Sequence, residues 1–191
     1  MSRRTRWILL VLVVVLVGGA AALVLTQQPK LDDARTAVDT HWKPLTADDQ
    51  LPTRYRTLEG ALSAFDAAGG TDRAVSRDLH AALRAWNGAV EGGDEGTQAE
   101  AANAVEAQGR RLVANALGSP RLAADKAVTD SLVKFAQTQP NPALVTAYNG
   151  AVRHYETERT GTLASPVAKV LGFDARPVLT IDTGTKDATS K

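Results

Sequence analysis

Apolar residues follow two different patterns along this chain, and the change between them divides it. From Ile8 to Leu25 the run ILLVLVVVLVGGAAALVL carries no charged or strongly polar side chain. As a helix at 1.5 Å per residue it reaches roughly 27 Å, close to the hydrocarbon thickness of a bilayer. Lipid offers no partner to backbone N–H and C=O groups, so a spanning run must satisfy its own as a helix. Arg3, Arg4 and Arg6 precede it without an acidic residue, and Trp7 stands at its edge. The positive-inside rule then places residues 1–7 in the cytoplasm and exports the remainder of the chain beyond the run. A cleaved signal peptide is the rival reading, with Ala20-Ala21-Ala22 as a small-residue site. The run is longer than a usual signal core and continues past those alanines, which favours an uncleaved signal-anchor over 8–26.

Beyond it, apolar positions recur at three- and four-residue steps, the period of one helical face. Pro29 is placed to begin a new helix carrying Leu31, Ala34, Val38, Trp42 and Leu45. Leu51, Tyr55, Leu58, Leu62 and Phe65 form a second stripe, with Pro52 in its first turn and Asp48 or Asp49 as a cap. Gly69-Gly70 breaks the pattern. Val75, Leu79, Ala82, Trp86 and Ala89 resume it as far as Glu91-Gly92-Gly93-Asp94. Thr97 with Glu100 reads as a capping box for a fourth helix carrying Ala101, Val105, Leu112 and Ala116. Pro120 opens a helix with Leu122, Val128, Leu132 and Phe135. After Pro140-Asn141-Pro142 the last long helix carries Val145, Tyr148, Val152 and Tyr155. Ser165-Pro166 opens a short helix, Val167 to Leu171, which Gly172 ends. The fold class is therefore all-α: an N-terminal transmembrane helix followed by an antiparallel helical bundle over 27–182. Residues 183–191 are a small, polar tail with nothing to bury, expected to be disordered.

Charge changes the picture only by exclusion. Without the three leading arginines the 22 basic residues fall to 19 against 21 acidic ones, a net of −2. A near-balanced domain lacks the basic surface that nucleic acid requires. The chain has no cysteine, which rules out disulfides and a lipoprotein anchor.

Candidate chemistry is sparse. His41, His80 and His154 lack the Glu-x-x-His or His-Glu-x-x-His spacing of bundle and zincin metal sites, and surface positions suit them better. No Gly-x-Ser-x-Gly elbow supplies a nucleophile, and no glycine loop follows a strand to cradle phosphate. No catalytic residue, metal or cofactor is implied. Tyr148-Asn149 differs, because a hydroxyl and an amide beside an apolar stripe can bond a neighbouring helix or the next segment of chain.

The spacing Tyr148-Asn149, Val152, Tyr155, then Ala168, Gly172-Phe173 and Pro177, resembles the C-terminal pattern of the LemA family, bacterial envelope proteins with a membrane helix and an external helical domain. Trp42, Leu51-x-x-Arg54-Tyr55 and Ser119-Pro120-Arg121-Leu122 are similar to earlier family patterns. Glu156 departs from it where an asparagine is usual, Glu59 where a proline is, and Thr162-Leu163 where Phe-Pro is. The Gly69-Gly70 break also divides what is typically one long helix. The resemblance implies fold and location more than mechanism. The leading expectation is a single-pass, non-catalytic scaffold that binds an envelope protein, with Tyr148, Asn149, Val152, Tyr155, Ala168, Gly172, Phe173 and Pro177 as its interaction motif and self-association open. The alternative is a small-molecule sensor or carrier using Asn149, Gln108 and the tyrosines. An unrecognised enzyme stands third.

Overall fold

The computed structural model describes residues 3–181. Eight α-helices occur in order: α1 (Arg3–Trp42), α2 (Leu51–Phe65), α3 (Ala74–Gly92), α4 (Glu95–Leu117), α5 (Pro120–Ala124), α6 (Lys126–Gln137), α7 (Pro142–Thr160) and α8 (Ala164–Leu171). There is no strand among the described residues. The all-α, bundled architecture expected from the stripes is what the chain adopts. The stripes on α2, α3, α6 and α7 are buried at every position of the pattern.

The pairing is α1 with α7 and α8, α3 with α4, and α2 with α6. One hydrophobic core runs through all of them, from Leu31 on α1 to Leu179 near the C-terminus. Aromatic pairs join it at two places. Trp42 packs on Tyr148 with ring centroids 5.1 Å apart, and Tyr55 meets the edge of Trp86 at 5.0 Å.

Several boundaries differ from the sequence reading. Pro29 does not begin a helix: α1 is one helix of 40 residues, about 60 Å long, with Pro29 inside it. Neither Asp48 nor Asp49 caps α2, whose cap position is Gln50, and its side chain makes no capping bond. The cap of α4 is Asp94 rather than Thr97; its carboxylate accepts the Thr97 N–H at 2.8 Å. On α4, Ala99 and Ala102 join the core, whereas Ala101 is half-buried. The helix opened by Pro120 is interrupted at Asp125, whose side chain takes the Ala127 and Val128 N–H groups and starts α6.

Gly69-Gly70 closes a π-type turn after α2, with Gly69 at φ 92°. Gly172 ends α8 at φ 73°, as expected, in a left-handed conformation that glycine adopts without Cβ strain. The expected N-cap of α8 shifts from Ser165 to Leu163.

Among the described residues no helix is long and apolar enough to cross a membrane. Most side chains between Ile8 and Leu25 lie outside that description, and the membrane-span expectation lies outside it with them. The tail 183–191 also falls outside the described residues.

Candidate functional site: the C-terminal strap and its buried anchors

After Gly172 the chain runs without helix back along α7 to Ile181, as a strap. Its backbone is held almost wholly by side chains. Tyr155 donates its hydroxyl to the Asp174 carbonyl at 2.8 Å, and Tyr148 donates to that of Pro177 at 2.9 Å. Asn149 grips Leu179 twice, accepting its N–H at 2.7 Å and donating to its carbonyl at 2.9 Å. From α4, Asn103 accepts the Thr180 N–H at 2.8 Å and donates to the Val178 carbonyl at 2.8 Å. Two asparagines thus pair with an extended segment much as a neighbouring strand would. Spacing explains it: Tyr148, Val152 and Tyr155 fall on one face of α7, and Asn149 lies at that face's edge.

The motif residues therefore have definite places. Tyr148, Val152, Tyr155 and Ala168 are core, and Phe173 is buried with only 7% of its surface exposed. Pro177 is half-buried and Gly172 is exposed. Burial is the main reason that the Tyr148 and Tyr155 hydroxyls hold their protons more tightly than a free tyrosine. The polar atoms of Tyr148, Asn149 and Tyr155 are engaged by the chain's own strap.

Arg176 is the strap's charged anchor, and it is buried. Its guanidinium lies 3.4 Å from Asp94 and 3.7 Å from Asp39, and its backbone N–H is accepted by Glu156 at 3.0 Å. Glu156 also grips Arg159. The Glu156 carboxylate thus holds both the strap and Arg159. Asp39 Oδ1 is buried without a hydrogen-bond partner. Its carboxyl binds its proton more readily than usual, first because of burial and then because of nearby Glu95; Arg176 opposes this only in part. Gly96 lets Arg176 approach, since a Cβ there would overlap its guanidinium.

The second anchor was missed in part by sequence reasoning. Arg54 on α2 and Glu106 on α4 form a buried bidentate pair at 2.6 and 2.9 Å. Arg54 also donates to the Thr138 carbonyl at 2.8 Å, beyond the C-terminus of α6, and lies 4.3 Å over the Phe135 ring. One guanidinium therefore ties three helices and satisfies a carbonyl that the end of α6 leaves without a helical partner. The signal was available: Arg54 and Glu106 each fall inside an apolar stripe, where a charge implies a partner. A cleft of about 330 Å³ adjoins the pair, lined by Arg110, Val113, Phe135 and Gln139.

Among the described residues the serine nearest a histidine and a carboxylate is not arranged as a nucleophile. Ser76 and His80 both bond Asp66, at 2.7 and 3.0 Å, so the carboxylate separates them. A working triad needs the histidine between the other two. Among the described residues no cluster of three metal-ligating side chains occurs. Gln108, offered with Asn149 as a ligand contact, bonds Arg111 on the exposed side of α4.

The chain matches no family profile, no curated protein and no solved structure.

Proposed function

We propose that this protein is a single-pass, membrane-anchored helical scaffold of the bacterial envelope, related to the LemA family, which displays its bundle outside the membrane to bind an envelope protein. The observation that carries the reading is the continuity of α1. Its C-terminal part buries Leu31, Ala34, Val38 and Trp42 in the core, while the same helix extends beyond the bundle through the run from Ile8 to Leu25. Toward the far end of that arm Trp7 and Val15 are 65% and 66% exposed, and Leu25 is 75% exposed, while Leu23 and Val24 pack against the core. An uncharged apolar run of this length suits lipid better than water.

A non-catalytic role is supported by how the polar groups of the core are used. Arg54, Glu106, Tyr148, Asn149 and Arg176 all bond other parts of the same chain. The test is crosslinking in cells with the full-length chain, from several exposed positions on α2, α3 and α4, followed by mass spectrometry. Capture of one envelope protein from a contiguous set of positions is expected. Fractionation of the chain away from membranes, or crosslinks to itself alone, overturns the scaffold.

The cleft beside Arg54 favours a second reading, a small-molecule sensor. Its walls are mostly apolar with a few polar groups, the usual make-up of a ligand pocket. A metabolite that raises the melting temperature of the protein but not of a Val113→Trp variant would support it.

A further inference from the structure

We propose that the cleft between α4 and α6 binds a small organic acid, one carboxylate on an apolar body, and that Arg110 is the residue that holds the carboxylate. The inference rests on the sensor reading above, which it deepens, and it is independent of the membrane anchor.

Most of the charge around the cleft is already paired. Glu106 lines it, but both of its carboxylate oxygens bond Arg54, and the two side chains are almost fully buried. The C-terminal end of α6 would repel an anion through its open carbonyls. Arg54 donates to those of Phe135 and Thr138, and Gln139 Nε2 donates to that of Ala136. The negative groups near the cleft are thus answered from within the chain.

Arg110 is the exception. It follows Glu106 by one helical turn, with Val113 and Ala114 a turn further on, so all four share one face of α4. Among the described residues no carboxylate pairs with it. Its one hydrogen bond there runs from Nη1 to the neutral Thr180 carbonyl at 3.1 Å, which leaves the rest of its fork without a partner. The cleft therefore carries one uncompensated positive charge, set beside Val113, Ala114, Phe135 and Ala136.

That arrangement selects a class of ligand. A lone cation repels amines, and it balances one negative charge but not the two of a phosphate monoester. The planar guanidinium fork matches a carboxylate, which it grips through two parallel bonds. Apolar walls favour a hydrocarbon body over a sugar. At about 330 Å³ the cleft lies near the lower end of the range for small-molecule sites, so that body is short, a phenyl group or a medium-length alkyl chain.

The test is calorimetric titration of the full-length chain in detergent with phenylpropanoate, phenylpropanol and phenylpropylamine, which share a body and differ in the head. Val113→Trp fills the cleft and, in the same detergent, reports binding anywhere else. Arg110→Gln removes the charge at an exposed position. Arg111→Gln removes a neighbouring charge that bonds Gln108 outside the cleft, and so controls for net charge. Circular dichroism checks that each variant folds. The acid is expected to bind at least about ten-fold more tightly than the alcohol, as one charge-assisted contact implies, and the amine not at all. Arg110→Gln should lose that margin while keeping the alcohol's affinity, and Arg111→Gln should change neither. If acid and alcohol bind alike, or Arg110→Gln and Arg111→Gln weaken the acid equally, the carboxylate assignment is overturned and the sensor reading stands. If no probe binds the native chain more tightly than it binds Val113→Trp, both fail.

Discussion

Asn149 holds Leu179 by both faces of its backbone, N–H to Oδ1 at 2.7 Å and Nδ2–H to carbonyl at 2.9 Å. No other residue type of that length can both donate and accept in one plane, so aspartate or leucine would each leave a backbone group without its partner. Replacing Asn149 by alanine removes two hydrogen bonds in a half-buried setting and should cost roughly 1–3 kcal/mol. The loss should be local. Hydrogen exchange at the Leu179 and Thr180 amides is expected to accelerate far more than exchange in α2 or α3. Uniform acceleration would instead mean that the strap is part of the global folding unit.

The Arg54–Glu106 pair makes a sharper prediction, because both side chains are almost fully buried. Glu106→Gln leaves a buried guanidinium without its counter-charge, and such losses cost about 3–5 kcal/mol. Replacing both residues, as Arg54→Met with Glu106→Leu, removes both charges and should recover much of that cost. The Thr138 carbonyl still loses its donor, so recovery is expected to be incomplete. Urea midpoints of Arg54→Met, of Glu106→Leu and of the double variant decide it. A double variant as unstable as the sum of the singles would show that the pair contributes nothing as a pair.

What was legible in the sequence was what periodicity encodes. The stripes of α2, α3, α6 and α7 were readable because each helix buries one side against several neighbours. Caps were less so: Asp94 and Thr97 are both competent, and only the fold shows that one accepts from the other. Pro29 misled because proline costs a helix one hydrogen bond and a steric adjustment, a loss that packing on both sides of it, at Leu23, Val24 and Leu31, outweighs. The strap was half legible. Tyr148 and Asn149 announced a bonding role toward the segment after α7, but their partners are main-chain groups, which carry no sequence signature. Asn103 gave no hint for the same reason.

Acid should reveal Asp39. Burial raises its carboxyl pKa above the ordinary aspartate value of 3.8, so the folded state binds this proton more tightly than the unfolded chain does. Asp39 therefore favours folding most below the unfolded pKa, and that contribution is lost as pH rises through the folded one. Asp94 has the opposite sign. Its cap bond to Thr97 holds its carboxyl below 3.8, so its contribution is present at neutral pH and lost as pH falls through that lowered value. Asp39→Asn should then leave the melting temperature at pH 7 unchanged or higher, with the advantage shrinking as pH approaches about 3. A fall of several degrees at pH 7 would show that the Arg176 contact outweighs desolvation.

Glycine substitutions separate shape from conformation. At Gly88, inside α3, an added Cβ meets nothing, and alanine is the better helix former. Gly88→Ala should stabilise by about 0.5–1 kcal/mol. Gly172 is equally open, but its φ of 73° is left-handed, so Gly172→Ala should cost about 1–2 kcal/mol through backbone strain alone. At Gly96 the obstacle is a neighbour: a Cβ would overlap the Arg176 guanidinium, which is fixed between Asp39 and Asp94. Gly96→Ala should therefore dislodge Arg176 and loosen the strap, and adding Arg176→Ala should cost little more once that contact is gone. Thermal melts of the three glycine variants, of Arg176→Ala and of the Gly96/Arg176 double variant test the set. If the costs of Gly96→Ala and Arg176→Ala simply add, the two residues are not coupled, and Arg176 does not anchor the strap through that approach.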